Sequence, residues 1–190
     1  MRDASLESAS DADLLRAVAS GDQAALEALY RRLGQRVFRY LVGILNGDAA
    51  RAEDALSEAF FDVWRDAGAF REQSSVATWV FGIARHKALT LARRTQSTRY
   101  AEEVDEDYAS AEEDVLTIMT ESEAAEQVRQ ALSKLSPEHR EVLELSLYHD
   151  FGYEQIATIA GCPVNTVKTR AFHARRELKR HLAALGAGDA

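Results

Sequence analysis

The chain holds a single cysteine, Cys162, and only two prolines among 190 residues. One thiol excludes an internal disulfide framework and a thiolate metal cluster, and it suits a reducing compartment. So few prolines, in a background rich in Ala, Leu, Glu and Arg, leave helix almost uninterrupted. There is no run of about 18 apolar residues, so direct membrane insertion is not expected. The opening MRDASLESASDAD has no apolar signal core, and a cytoplasmic location is expected. Phosphate-cradling glycine loops are missing as well. The histidines (His86, His139, His149, His173, His181) are scattered, with no HExxH and no ligand pair at helical spacing. No metal, cofactor, small-molecule substrate or enzymatic activity is expected.

An overall excess of positive charge is also lacking: the net charge is −8. Its distribution matters more than its total. Residues 100–128 hold eleven acids, from Glu102 to Glu126, and no Lys or Arg. Residues 73–101 carry five Arg or Lys and no acid, and residues 163–182 carry six against Glu177 alone. Two basic segments thus flank an acidic one, and each sets its own local field.

What is there is helical periodicity broken by caps. Ser10 or Asp11 can cap a first helix, DADLLRAVAS, which Gly21 closes. Asp22 caps a long segment reaching Asn46, with Leu26, Leu29, Tyr30, Leu33, Val37, Tyr40, Leu41 and Ile44 at spacings of three and four. Asp48 opens a third helix to Asp66, whose inward stripe is Ala52, Ala55, Leu56, Ala59, Phe60, Val63 and Trp64. After the loop AFREQSS, Ser74 or Ser75 caps VATWVFGIARHKALTLARR. Residues 99–122 lose periodicity and read as a solvated acidic linker, with Val115–Met119 able to form a transient turn. Helix returns at AAEQVRQALSKL, and Ser136-Pro137 is a capping hydroxyl followed by proline at the first helical position. The expectation is all-α: two small helical domains, 11–98 and 123–185, joined by the flexible linker 99–122.

The stretch YEQIATIAGCPVNTVKTRAFHARRELKR reads as helix, tight turn and basic helix, the sequence form of a helix-turn-helix. Gly161 ends the first helix, Cys162-Pro163 prevents its continuation, and Asn165 is a candidate N-cap for the second. Val167, Ala171, Ala174 and Leu178 fall on one inward face. Residues near a recognition helix's start reach base edges, whereas trailing cations hold phosphates. Asn165, Thr166, Lys168, Thr169 and His173 are therefore candidate base readers. Arg170, Arg175, Arg176, Lys179 and Arg180 are candidate backbone clamps. The alternative is a solvated basic helix closing a bundle.

The fourth helix interleaves Trp79 and Phe81 with Arg85, His86, Lys87, Arg93 and Arg94, beside an inward set of Val76, Val80, Ile83, Ala84 and Leu91. Aromatics among cations suit single-stranded nucleic acid. By composition alone the plainer reading, a core tryptophan and a wet cationic face, stands beside it. The third helix sets Glu53, Asp54, Glu58 and Asp62 near Phe61 and Trp64, a polar rim around aromatic anchors of the kind used in protein docking. Cys162 lies in a turn, where a structural role fits better than nucleophilic chemistry.

Together these segments resemble bacterial sigma factors of the extracytoplasmic-function type, over about Asp11 to Leu185. ARAEDALSEAFFDVWRD is similar to the region 2.2 helix, which docks on the β′ clamp of polymerase; by that likeness Glu53, Asp54, Glu58, Phe61 and Trp64 are polymerase-binding. SSVATWVFGIARHKALTLARR resembles regions 2.3 and 2.4, which open and read the −10 element, and this places Trp79, Arg85, His86 and Lys87 on promoter DNA. SPEHREVLELSLYHDFGYEQIATIAGCPVNTVKTRAFHARREL resembles region 4, which reads the −35 element as duplex. There Asn165, Thr166, Lys168, Thr169, Arg170, His173, Arg175 and Arg176 are the implied contacts. The implied partners are core RNA polymerase (β′ clamp and β flap), promoter DNA and an anti-sigma factor. Ser57, His86, Thr90 and Asn165 depart from the residues frequent in the family. Two other readings share the same motifs: a decoy that sequesters an anti-sigma protein, and a conventional helix-turn-helix regulator.

Overall fold

The computed structural model describes residues 6–101 and 123–186. The rest of the predicted acidic linker, with its Val115–Met119 patch, lies outside the described residues. Among the described residues the chain is all-α, and it divides into two units, Met1–Ala111 and Glu112–Ala190.

The first unit comprises α1 (Asp11–Ala19), α2 (Gln23–Ile44), α3 (Ala49–Asp66), a 3₁₀ turn (Ala67–Ala69) and α4 (Val76–Ala101). Each start has a local cause. Ser10 Oγ accepts from the Asp13 N–H, and Asp22 accepts from the Ala24 and Ala25 N–H groups. Asp48 accepts from Arg51 N–H, and Ser75 Oγ accepts from Thr78 N–H. These side chains satisfy main-chain donors that the first turn leaves open. Between α2 and α3 the chain turns through Asn46 and Gly47, both at positive φ, where a β-carbon is disfavoured.

α4 packs on α2 and α3, and α1 on α2. The core holds Leu14, Leu15 and Val18 of α1, Leu29, Leu33, Val37, Tyr40 and Leu41 of α2, Ala52 to Val63 of the α3 stripe, and Val76, Val80, Phe81, Ala84 and Ala88 of α4. Each fully buried large apolar side chain contributes about 1.5–3 kcal/mol. Tyr40 and Phe81 meet with ring centroids 5.2 Å apart, and the Arg36 guanidinium lies 5.9 Å above the Phe81 ring. Arg32 reaches back to the start of the chain. Its two terminal nitrogens donate to the carbonyls of Leu6, Glu7 and Ala9 and to Asp11 Oδ1, at 2.7–3.0 Å.

Some inward positions differ from the periodicity. Phe81 is fully buried, not set among the cations, and Ala88 lies inside while Ile83 and Leu91 are half-buried. Tyr30 is exposed at the edge of the core, its ring edge-on to Phe60, and Trp64 is half-buried.

The second unit comprises α5 (Glu123–Ser133), α6 (Pro137–Leu147), α7 (Tyr153–Ala160) and α8 (Val164–Ala184). Ser136 caps α6 by accepting from His139 N–H, with Pro137 at the first helical position. Leu132, Leu135, Leu143 and Ala174 cluster inside, with Val128 and Leu178 packed against them. Ile156, Val167 and Ala171 are buried where α8 meets α7.

Candidate nucleic-acid and polymerase interfaces

The turn before α8 fixes the recognition helix. Gly161 takes φ 63°, in the left-handed region, and the Cys162 N–H reaches back to the Ala157 carbonyl at 3.1 Å. Pro163, not Asn165, is the N-cap: its extended backbone (φ −60°, ψ 146°) starts the helix at Val164. Proline offers no capping side chain; the Thr166 and Val167 N–H groups bond to the Pro163 carbonyl at 2.9 and 3.2 Å, and no side chain caps the first turn. Asn165 instead lies exposed in the first turn, its carbonyl accepting from Thr169 Oγ1 at 2.9 Å.

With Val167, Ala171 and Ala174 turned inward, Lys168, Thr169, Phe172, His173, Arg175 and Arg176 are exposed, and Thr166 and Arg170 are half-buried. The predicted contact set therefore lies on or beside the exposed side of one helix. Two of its cations have local anchors. Arg175 donates to Tyr153 Oη at 3.0 Å, and Arg170 reaches Cys162 Sγ at 3.9 Å.

A residue the sequence reading passed over organises the same helix. His139 of α6 meets Glu177 across 3.0 Å, and its ring stacks at 6.3 Å on His173. The hydrogen bond with His139 holds the Glu177 carboxyl below the usual glutamate range, with Arg180 adding at 3.9 Å. The one acid among the cations of 163–182 is thus drawn towards α6. The signal was a histidine three residues after a cap, which spacing alone does not connect to a helix 38 residues away.

In the first unit, α3 presents Asp54, Glu58 and Phe61 at i, i+4 and i+7, all exposed, with Phe61 63% exposed. Glu53 is exposed and Trp64 half-buried. On α4, His86 is exposed, Arg85 is half-buried, and Trp79 is half-buried with its ring 5.4 Å from Phe70. Lys87 does not join that group. Its ammonium lies 2.8 Å from Asp62 and 3.6 Å from Glu58, so the structure brings it to the acids of α3. The Arg65 guanidinium also lies 2.9 Å from Asp62 as an ion pair and 2.6 Å from Asp66, completing the charged cluster. Of the departures, Ser57 is exposed, and Thr90 Oγ1 donates to the His86 carbonyl. Among the described residues no helix is long and apolar enough to cross a membrane, and no three His, Cys, Asp or Glu are placed to hold a metal.

The description "Sigma-70 region 2" matches residues 29–98, and "Sigma-70, region 4" matches residues 125–178. The ECF RNA polymerase sigma factor SigL of Mycobacterium tuberculosis is 32% identical over 171 residues, 88% of this chain and 94% of that protein. The chain belongs to the extracytoplasmic-function sigma factors. The RNA polymerase sigma-H factor of Pseudomonas aeruginosa is 30% identical to this sigma factor over 184 residues, 92% of the chain and 95% of the relative. Among solved structures, CnrH in complex with the cytosolic domain of CnrY aligns with a TM-score of 0.65 at 22% identity, over 95% of this chain and 99% of that one. The sigma factor RpoE of Bartonella quintana, solved with the anti-sigma factor NepR, aligns at 0.61 and 22% identity, over 82% and 96%. These two share the fold of this sigma factor.

Proposed function

We propose that this sigma factor directs core RNA polymerase to promoters through two separate grips, one on duplex and one on opened DNA. The observation that carries the reading is the exposed face of α8, where Lys168, Thr169, His173, Arg175 and Arg176 stand clear of the buried Val167, Ala171 and Ala174. A helix of 21 residues with this face suits the major groove of a −35 element. Asn165, Thr166, Lys168, Thr169 and His173 read bases, and Arg170, Arg175 and Arg176 hold phosphates. Trp79, Arg85 and His86 of α4, with the loop 69–75, engage the −10 strand, where unstacking costs a few kcal/mol per flipped base and is offset by contacts to that base. Lys87 is released to this set only if its pairing with Asp62 opens.

Glu53, Asp54, Glu58, Phe61 and Trp64 dock on the β′ clamp, and the second unit meets the β flap. The protein does no bond chemistry itself; polymerase makes the bonds, in the cytoplasm. An anti-sigma factor masks the free chain. The cations retained on α8 argue against a pure decoy, and the polymerase-type face on α3 argues against a stand-alone regulator.

The test is run-off transcription with purified core polymerase on genomic promoters. Specific initiation that depends on the added protein supports the proposal. Binding to an anti-sigma partner without any directed initiation favours the decoy instead.

A further inference from the structure

α8 carries a single acid among its cations. Arg170, His173, Glu177 and Arg180 follow one another at spacings of three, four and three, so they form one row along the helix. Arg170 and His173 belong to the proposed DNA face, and Arg176 immediately precedes Glu177. A carboxylate free to turn within this row would meet, at like charge, the phosphates that its neighbours hold.

Glu177 is not free to do so. His139 Nδ1 lies 3.0 Å from Glu177 Oε2, and the two side chains are largely shielded, 22% and 31% exposed. The hydrogen bond with His139 is the chief reason the Glu177 carboxyl stays below the usual glutamate range, ahead of the charges of Arg180 and His173. An ionised carboxylate only accepts, so Nδ1 carries the hydrogen and donates it. Arg180 is a looser hold, its guanidinium 3.9 Å from Oε1 and its side chain 66% exposed. His139 is itself fixed at the start of α6, where its N–H donates to the Ser136 cap. Its ring lies nearly parallel to that of His173, at 21° and 6.3 Å. The tie is made beside the reading face, yet it draws the carboxylate back on to another helix.

We propose that His139 is a positioning residue for duplex recognition: by holding Glu177 against α6, it keeps the one acid of α8 off the DNA backbone. This rests on the proposed reading of a −35 duplex by α8. His139 need not touch DNA for the effect. Removing the imidazole leaves a charge that swings into the row, whereas removing the carboxylate leaves nothing to restrain. The two partners of one hydrogen bond therefore act on DNA in opposite senses, although either loss breaks the same link between α6 and α8.

The test uses the full chain assembled with core polymerase and bound to duplex promoter fragments whose −35 element is intact or scrambled. His139→Ala should weaken binding to the intact fragment by about threefold, the worth of one like charge about 7 Å from a phosphate in water. The deficit should narrow as salt rises, because a freed charge is screened. Glu177→Ala should bind at least as tightly as the unaltered protein, and adding His139→Ala to it should cost nothing further. His139→Asn, whose amide nitrogen takes the place of Nδ1, should keep most of the affinity. A link that only holds the helices together behaves otherwise: Glu177→Ala then weakens binding as much as His139→Ala at every salt concentration, and the double change rescues nothing. That result overturns the assignment, as does full affinity in His139→Ala. Failure of the unaltered holoenzyme to tell the intact −35 element from the scrambled one overturns the duplex reading itself, whatever the variants do.

Discussion

Replacing Lys87 by methionine separates a structural lysine from a DNA contact. The Lys87 ammonium sits 2.8 Å from Asp62, a contact whose gross Coulomb energy is about 6 kcal/mol at an effective dielectric constant of 20. Desolvation of both groups cancels most of that. Asp62 has a side chain only 15% exposed but keeps Arg65 at 2.9 Å, so the carboxylate is not stranded when Lys87 is lost. A net cost of about 1–2 kcal/mol to the first unit follows, in the range of hydrogen bonds to charged groups. For a unit of this size that corresponds to a fall in Tm of roughly 5–15 °C. Both tryptophans, Trp64 and Trp79, belong to the first unit, so intrinsic fluorescence in a urea titration reads this unit alone. Lys87→Met should lower the urea midpoint, and a cycle with Asp62→Asn should show a coupling of about 1 kcal/mol. A phosphate contact would behave otherwise. An unchanged midpoint, together with promoter binding whose salt slope is shallower by about one, would refute the assignment of Lys87 to the α3–α4 contact.

On α8, Lys168→Ala should weaken promoters unequally and relax specificity at one position. Arg176→Ala should weaken all of them alike and flatten the salt dependence, as read in binding titrations over promoter variants. Asp54→Arg with Glu58→Arg should abolish co-purification with core polymerase while the circular dichroism spectrum stays helical; retained association would remove α3 from the docking surface. Burial pushes the Glu144 carboxyl up to about 7, ahead of the opposing influence of Arg140. Because the folded value lies above that of the unfolded chain, stability is lost as pH rises from the ordinary glutamate range towards 7 and stays lower beyond it. Glu144→Gln should therefore slow hydrogen exchange in α6 at pH 8, by a stabilisation on the order of 1 kcal/mol, and change nothing at pH 4.

Where a residue acts on its own main chain, the sequence was a good guide. Ser10, Asp22, Asp48, Ser75 and Ser136 all cap the helices that follow them, because a short polar side chain before a periodic run has few other options. Both the α3 stripe from Ala52 to Val63 and the inward Val167, Ala171 and Ala174 of α8 were legible from helical spacing, while Trp64 at the end of that stripe is only half-buried. α4 was harder, since Trp79, Val80 and Phe81 are apolar in succession and spacing does not tell which of them turns inward. Packing on Tyr40 decides for Phe81. Asn165 has the chemistry of a cap, yet the fixed backbone of Pro163 reaches the required conformation two residues earlier. Pairs such as Lys87 with Asp62, or His139 with Glu177, join different helices. Their registry comes from packing, and no local pattern encodes it.

Arg32 holds the beginning of the chain by main-chain oxygens, at Leu6, Glu7 and Ala9, and those oxygens are the same whatever side chains stand there. The contact is therefore blind to the identity of the segment it fastens. Residues 6, 7 and 9 can be recoded freely as far as this grip is concerned, while the whole constraint falls on one codon for arginine further along. A single change at position 32 would undo what no single change of side chain in the segment itself could.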